Sequence, residues 1–119
     1  MKDVSILSSN NIDFKKGIEL LGDIETYDDM LVEFLGEVDE KLNNIKNFKE
    51  TSDMSNYAIL VHSLKSDSKY FGFDKLADLA FQHEMESKSN NVVFVNENFD
   101  ALMNEANRIV DVVKRYVNS

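Results

Sequence analysis

In 119 residues this chain has no proline and only four glycines, Gly17, Gly22, Gly36 and Gly72. Proline removes an amide donor and clashes with the preceding helical turn, and an interior glycine costs roughly 1 kcal/mol against alanine. A sequence so poor in both has little to interrupt a helix. Its apolar residues recur at three- and four-residue spacing, the mark of helices that bury one face. Asp13 is placed to cap a short helix through Phe14, Ile18, Leu20 and Leu21, ending near Gly22. Thr26 and Asp29 resemble a capping box for a long helix over about 26–49. Ser52 and Asp53 open a helix over about 53–70, with Gly72 as its C-terminal cap. Asp74 is read as the cap of a helix over 75–88, and Asn96 as the cap of one over 97–117. The run Val92-Val93-Phe94-Val95 has no partner strand and is read as a packed turn or helix lead-in.

These elements predict an all-α fold: an up-and-down antiparallel four-helix bundle with a short extra N-terminal helix. The connections are short and nothing resembles a linker, so residues 1–119 read as one domain, with 1–12 as a flexible lead-in and a monomer as the expected state.

Charge narrows the function. Twenty-two acidic residues against 13 basic ones give a formal charge of −9. Phosphate neutralisation needs clustered Lys and Arg, so nucleic acid is not the expected partner, nor is an anionic membrane surface. No apolar stretch approaches the ~20 residues of a membrane span, and the polar N-terminus does not resemble a signal peptide, so the expected location is the cytoplasm. Without cysteine there is no disulfide, no thiolate metal site and no thiol nucleophile.

The helix over 53–70 carries the candidate chemistry. On a wheel of about 100° per residue, Tyr57, Leu60, Val61, Leu64 and Phe71 gather on one side. Ser55, Ala58, Ile59, His62, Lys65, Ser66 and Lys69 gather on the other. His62 thus points away from the core. An exposed imidazole is partly neutral near pH 7 and is then a nucleophile, for which electrophilic phosphorus is a natural target. Lys65 and Lys69, one and two turns on, would bring positive charge to the added phosphoryl oxygens. Ala58 and Ser66 would leave room for a second protein to reach the ring.

The stretch His62-Ser63-Leu64-Lys65-Ser66, with Gly72 ten residues after the histidine, resembles the signature of histidine-containing phosphotransfer domains. The likeness extends over about 14–117, including the opening Gly17-Ile18-Glu19-Leu20-Leu21-Gly22-Asp23. Ser66 is a departure, since glycine is commoner there, but serine is also small. The resemblance implies a phosphorelay intermediate that takes a phosphoryl group from a receiver-domain aspartate and passes it to another receiver. His62 is then the phosphorylated residue and Lys65 steadies the phosphoryl group, with Ala58, Ile59, Ser66 and Lys69 on the docking face. The partners implied are response-regulator receiver domains and sensor histidine kinases, and the chain could equally be a module of a hybrid sensor kinase. No nucleotide-binding motif occurs in the chain, so it is expected to be a carrier rather than an enzyme, with no cofactor of its own and Mg²⁺ supplied by the receiver.

Two other readings differ at specific residues. A non-phosphorylated helical adaptor that docks receiver domains would be expected to have lost His62 or Lys65. A metal-carboxylate bundle enzyme needs Glu three residues before each histidine, and Ile59 and Ala80 occupy those positions. His83-Glu84 begins a zinc-protease motif but lacks its second histidine, because position 87 is serine. On its own helix His83 lies with Leu76, Leu79 and Ala80, which marks it as a structural histidine.

Overall fold

Short polar side chains start most of the helices. In the computed structural model, which describes all 119 residues, α1 (Ser5–Ser8) and α2 (Phe14–Leu21) precede α3 (Ile24–Glu50), α4 (Met54–Phe71), α5 (Asp74–Lys88) and α6 (Val92–Val117). The carboxylates of Asp13, Asp23 and Asp53 accept from the amides of Lys16, Thr26 and Asn56, and the Asn91 side chain accepts from Phe94. Each satisfies a first-turn N–H that has no partner within the helix. The four long helices form the bundle: α3 packs on α4, α4 on α5, α5 on α6, and α6 closes on α3.

Three helix starts differ from expectation. Asp23, not Thr26, caps α3. Phe73, with no side-chain bond, precedes α5, and Asp74 is its first helical residue, where a carboxylate suits the positive end of the dipole. Asn91, not Asn96, caps α6, so Val92–Val95 belong to that helix. Val95 supplies the reason: it continues the stripe of Phe99, Leu102, Ala106, Ile109 and Val113, all buried. A helical register that buries one more valine outweighs the second available cap.

Residues 1–12, expected as a lead-in, pack on the bundle. They carry α1, and Leu7 and Ile12 lie in the core. Arg108 donates through Nη1 to the Asn10 carbonyl at 3.0 Å, and through Nε and Nη2 to the two oxygens of the buried Glu105 carboxylate, each at 2.8 Å. The Asp13 amide donates to the Gly72 carbonyl at 2.9 Å. Gly72 turns the chain from α4 into α5 at φ +82°, and a Cβ there would sit 2.1 Å from the Asp13 carbonyl oxygen.

Beneath α5, His83 is buried and holds three helices together. Its Nε2–H donates to the Asn98 carbonyl on α6 at 3.1 Å, which leaves Nδ1 to accept from the Tyr57 hydroxyl on α4 at 2.8 Å. Burial holds its protonation below the ordinary imidazole range, against a smaller opposing effect of the Asn98 carbonyl. The expected structural histidine is therefore what the fold contains.

Two outcomes follow. Gly72→Ala should cost about 2 kcal/mol or more in denaturant unfolding, from left-handed strain together with displacement of the Asp13 backbone. Because His83 is harder to protonate folded than unfolded, its contribution is complete above about pH 6.5 and declines as pH falls below that value. In a His62→Gln background, where His83 is the remaining histidine, the melting temperature should fall between pH 7.5 and 5.5. A flat profile would contradict the assignment.

Candidate functional site

Helix α5 lies close against α4 because its facing stripe is made of small residues. Ala77, Ala80 and Ser87 recur at helical spacing and are buried. Glu84 occupies the same stripe and is only 2% exposed. A buried carboxylate is costly unless it is paired and hydrogen-bonded, and Glu84 is met from three directions. His62 Nδ1 lies 2.7 Å from Oε2, Lys65 Nζ 2.5 Å from Oε1, and Lys88 Nζ 2.9 Å from Oε2. Burial alone would raise its pKa, but the bonds from Lys65, Lys88 and His62 prevail and hold the carboxyl at about 2. It is ionised throughout the physiological range and can only accept.

That fixes the histidine. Nδ1 must carry the proton it donates to Glu84, so a neutral ring keeps its lone pair on Nε2. The His62 side chain is 56% exposed. Beside it opens a cavity of about 590 Å³, bordered by Ser55, Ala58 and Ile59 of α4 and by Ser87, Lys88 and Asn90 at the end of α5.

The expected site residues are placed unevenly. His62 faces outward as the wheel predicts; Ile59, one turn earlier, and Lys69, two turns on, are exposed as well. Ser66 is half-buried. Ala58, expected on the open face, is buried, and forms part of the cavity floor. Its wheel position is right, but α5 approaches so closely that it covers the methyl group. Lys65 does not stand free beside the histidine. Its side chain is 14% exposed, with its ammonium on Glu84 and 5.4 Å from the centre of the Phe81 ring.

Glu84 and Lys88 are the site residues that sequence reasoning missed. The available signal was a glutamate at the spacing of Ala77, Ala80 and Ser87, on a face otherwise made of small residues. Its partner, twenty-two positions earlier, was not legible from spacing.

With this arrangement in view, the comparisons with known proteins give one match. The pattern of the Hpt domain covers residues 29–112, most of the chain. The chain belongs to the Hpt domain family. No curated protein and no solved structure matches it. Hpt domains are helical bundles that carry phosphoryl groups on histidine in two-component signalling, interacting with receiver domains and kinases and having no catalytic activity of their own. The Hpt match includes α4 and α5 in full, and so Glu84 and the three side chains that meet it. No helix of this Hpt domain is long and apolar enough to cross a membrane.

The Hpt site should depend on Glu84 for stability as well as for geometry. Glu84→Ala strands the Lys65 ammonium, while His62 and Lys88 can turn to water. The expected loss is about 2–3 kcal/mol, below the figure for a fully enclosed pair. Chemical denaturation measures it, and a change under about 0.5 kcal/mol would show the carboxylate to be dispensable.

Proposed function

We propose that His62 is the phosphoryl acceptor of this Hpt domain and that it reacts through Nε2. The observation that carries the reading is the short bond from Nδ1 to an ionised, buried Glu84, which leaves Nε2 as the free nucleophile on an exposed ring. In the forward step the Nε2 lone pair attacks the phosphorus of an aspartyl phosphate on a receiver domain. The bond from phosphorus to the aspartate oxygen breaks and its electron pair stays on the carboxylate. The ring becomes a phosphorylated imidazolium whose Nδ1–H still faces Glu84. No proton needs to move, and the charge that develops on the ring is already faced by a fixed anion, a preorganised stabilisation. Reversal delivers the phosphoryl group to a second receiver.

Glu84 acts here as a positioning residue: it sets the tautomer and the plane of the ring and touches no reacting atom. The receiver, not this domain, would supply Mg²⁺. The open cavity beside His62, with exposed Ile59 on its border, is the surface we assign to receiver docking, together with exposed Lys69 two turns further along α4, and Ser66 is small enough to let the partner approach. The domain acts as a monomeric carrier in the cytoplasm, free or as a module of a sensor kinase. The alternative, an unphosphorylated adaptor, gives no role to a nucleophile held in one tautomer by a buried carboxylate.

Incubation with a phosphorylated receiver domain should transfer acid-labile phosphate to the wild-type chain and none to His62→Gln. Glutamine can still donate to Glu84 and the position is exposed, so its unfolding free energy should stay within about 1 kcal/mol. Acid-labile phosphate on His62→Gln that disappears in a His83 variant would overturn the assignment.

A further inference from the structure

Resemblance assigns phosphoryl stabilisation to the lysine one turn beyond the histidine, yet two lysines reach Glu84 and they are not alike. We propose that Lys88, rather than Lys65, is the cation that contacts the phosphoryl group on His62. This rests on His62 being the acceptor.

Space is the first argument. A phosphoryl group needs open volume next to the ring, and the cavity there is bordered by Lys88, Ser87 and Ser55, whereas Lys65 does not border it. Mobility is the second. The Lys88 side chain is 60% exposed, so its ammonium can turn without uncovering apolar surface. The Lys65 side chain is 14% exposed and carries the shorter bond to Glu84, with the Phe81 ring against its ammonium. Moving it would strip a buried carboxylate of its enclosed counter-ion.

Position is the third. Lys88 Nζ and His62 Nδ1 lie on the same oxygen, Oε2, while Lys65 lies on Oε1. Lys88 is therefore already beside the ring.

Charge completes the account. Before transfer, Glu84 faces two ammonium groups and a neutral imidazole. After transfer the ring is cationic, so Glu84 remains balanced by the imidazolium and Lys65. Lys88 becomes the surplus cation just as the phosphoryl oxygens arrive. Its exchange from Glu84 to phosphate leaves Glu84 facing two cations, as before transfer, and needs only a side-chain rotation.

The test charges the full chain with phosphoramidate and follows the phosphohistidine ³¹P resonance through a pH titration. Wild type, Lys88→Met, Lys88→Arg and Lys65→Met are compared. A cation against the phosphoryl group lowers its second ionisation, so Lys88→Met should titrate about one pH unit higher than wild type. Lys88→Arg should restore the lower value, and Lys65→Met should titrate with wild type while melting at a lower temperature. Wild-type behaviour in Lys88→Met overturns the proposal, as does a larger displacement in Lys65→Met. If Lys65→Met does not fold, the Met and Arg variants of Lys88 decide alone. Wild-type chain that takes up no acid-labile phosphate overturns the acceptor reading itself, a result distinct from uptake with an unmoved titration.

Discussion

A single carboxylate, buried between two helices, organises the site. Glu84 can remain ionised at 2% exposure only because His62, Lys65 and Lys88 bring donors to both its oxygens. The dependence is mutual. Without the carboxylate the His62 ring has no fixed tautomer and the Lys65 ammonium no partner in its enclosed position. Buried ion pairs often add little net stability over apolar packing, because desolvation offsets attraction. What this one adds is definition: an exposed imidazole with one tautomer and one orientation.

That definition needs rigid support, and the helices beneath supply it. His83, next to Glu84 in sequence but on the inner side of α5, ties α5 to Tyr57 of α4 and Asn98 of α6. At the other end of α4, the Tyr27 hydroxyl donates to the Phe71 carbonyl and the Asp13 amide to that of Gly72, so the helix is held where it turns. Lys41 of α3 reaches Ser63 and Asp67 at 2.8 and 2.7 Å, bracing α4 on its other flank. The bundle carries −9 overall, yet lysines surround the histidine. The acidic body favours solubility and discourages polyanions, while the local cations suit a dianionic phosphoryl group.

The two adjacent residues His83 and Glu84 illustrate how position divides roles. Neighbours on a helix point about 100° apart. On α5 that rotation turns one side chain down into the α4–α6 seam and the other toward the surface of α4. One becomes a neutral structural imidazole and the other a charged anchor for His62, Lys65 and Lys88, although the dipeptide reads as a single motif.

Much of this was legible in the residues. Helical periodicity, four amphipathic stretches and the lack of proline define a helical bundle, because local geometry alone sets which side chains share a face. The outward direction of His62 followed from the same arithmetic, and its chemical type from the imidazole. Helix starts were less legible: Thr26, Asp74 and Asn96 are all plausible caps, yet Asp23, Phe73 and Asn91 hold those positions, and at α6 the earlier start buries Val95. Distances between helices were not legible at all. That α5 comes near enough to bury Ala58, enclose Lys65 and press Glu84 against His62 depends on the packing of Ala77, Ala80 and Ser87 against α4. A wheel describes one helix in isolation, and such pairings arise only when two are brought together.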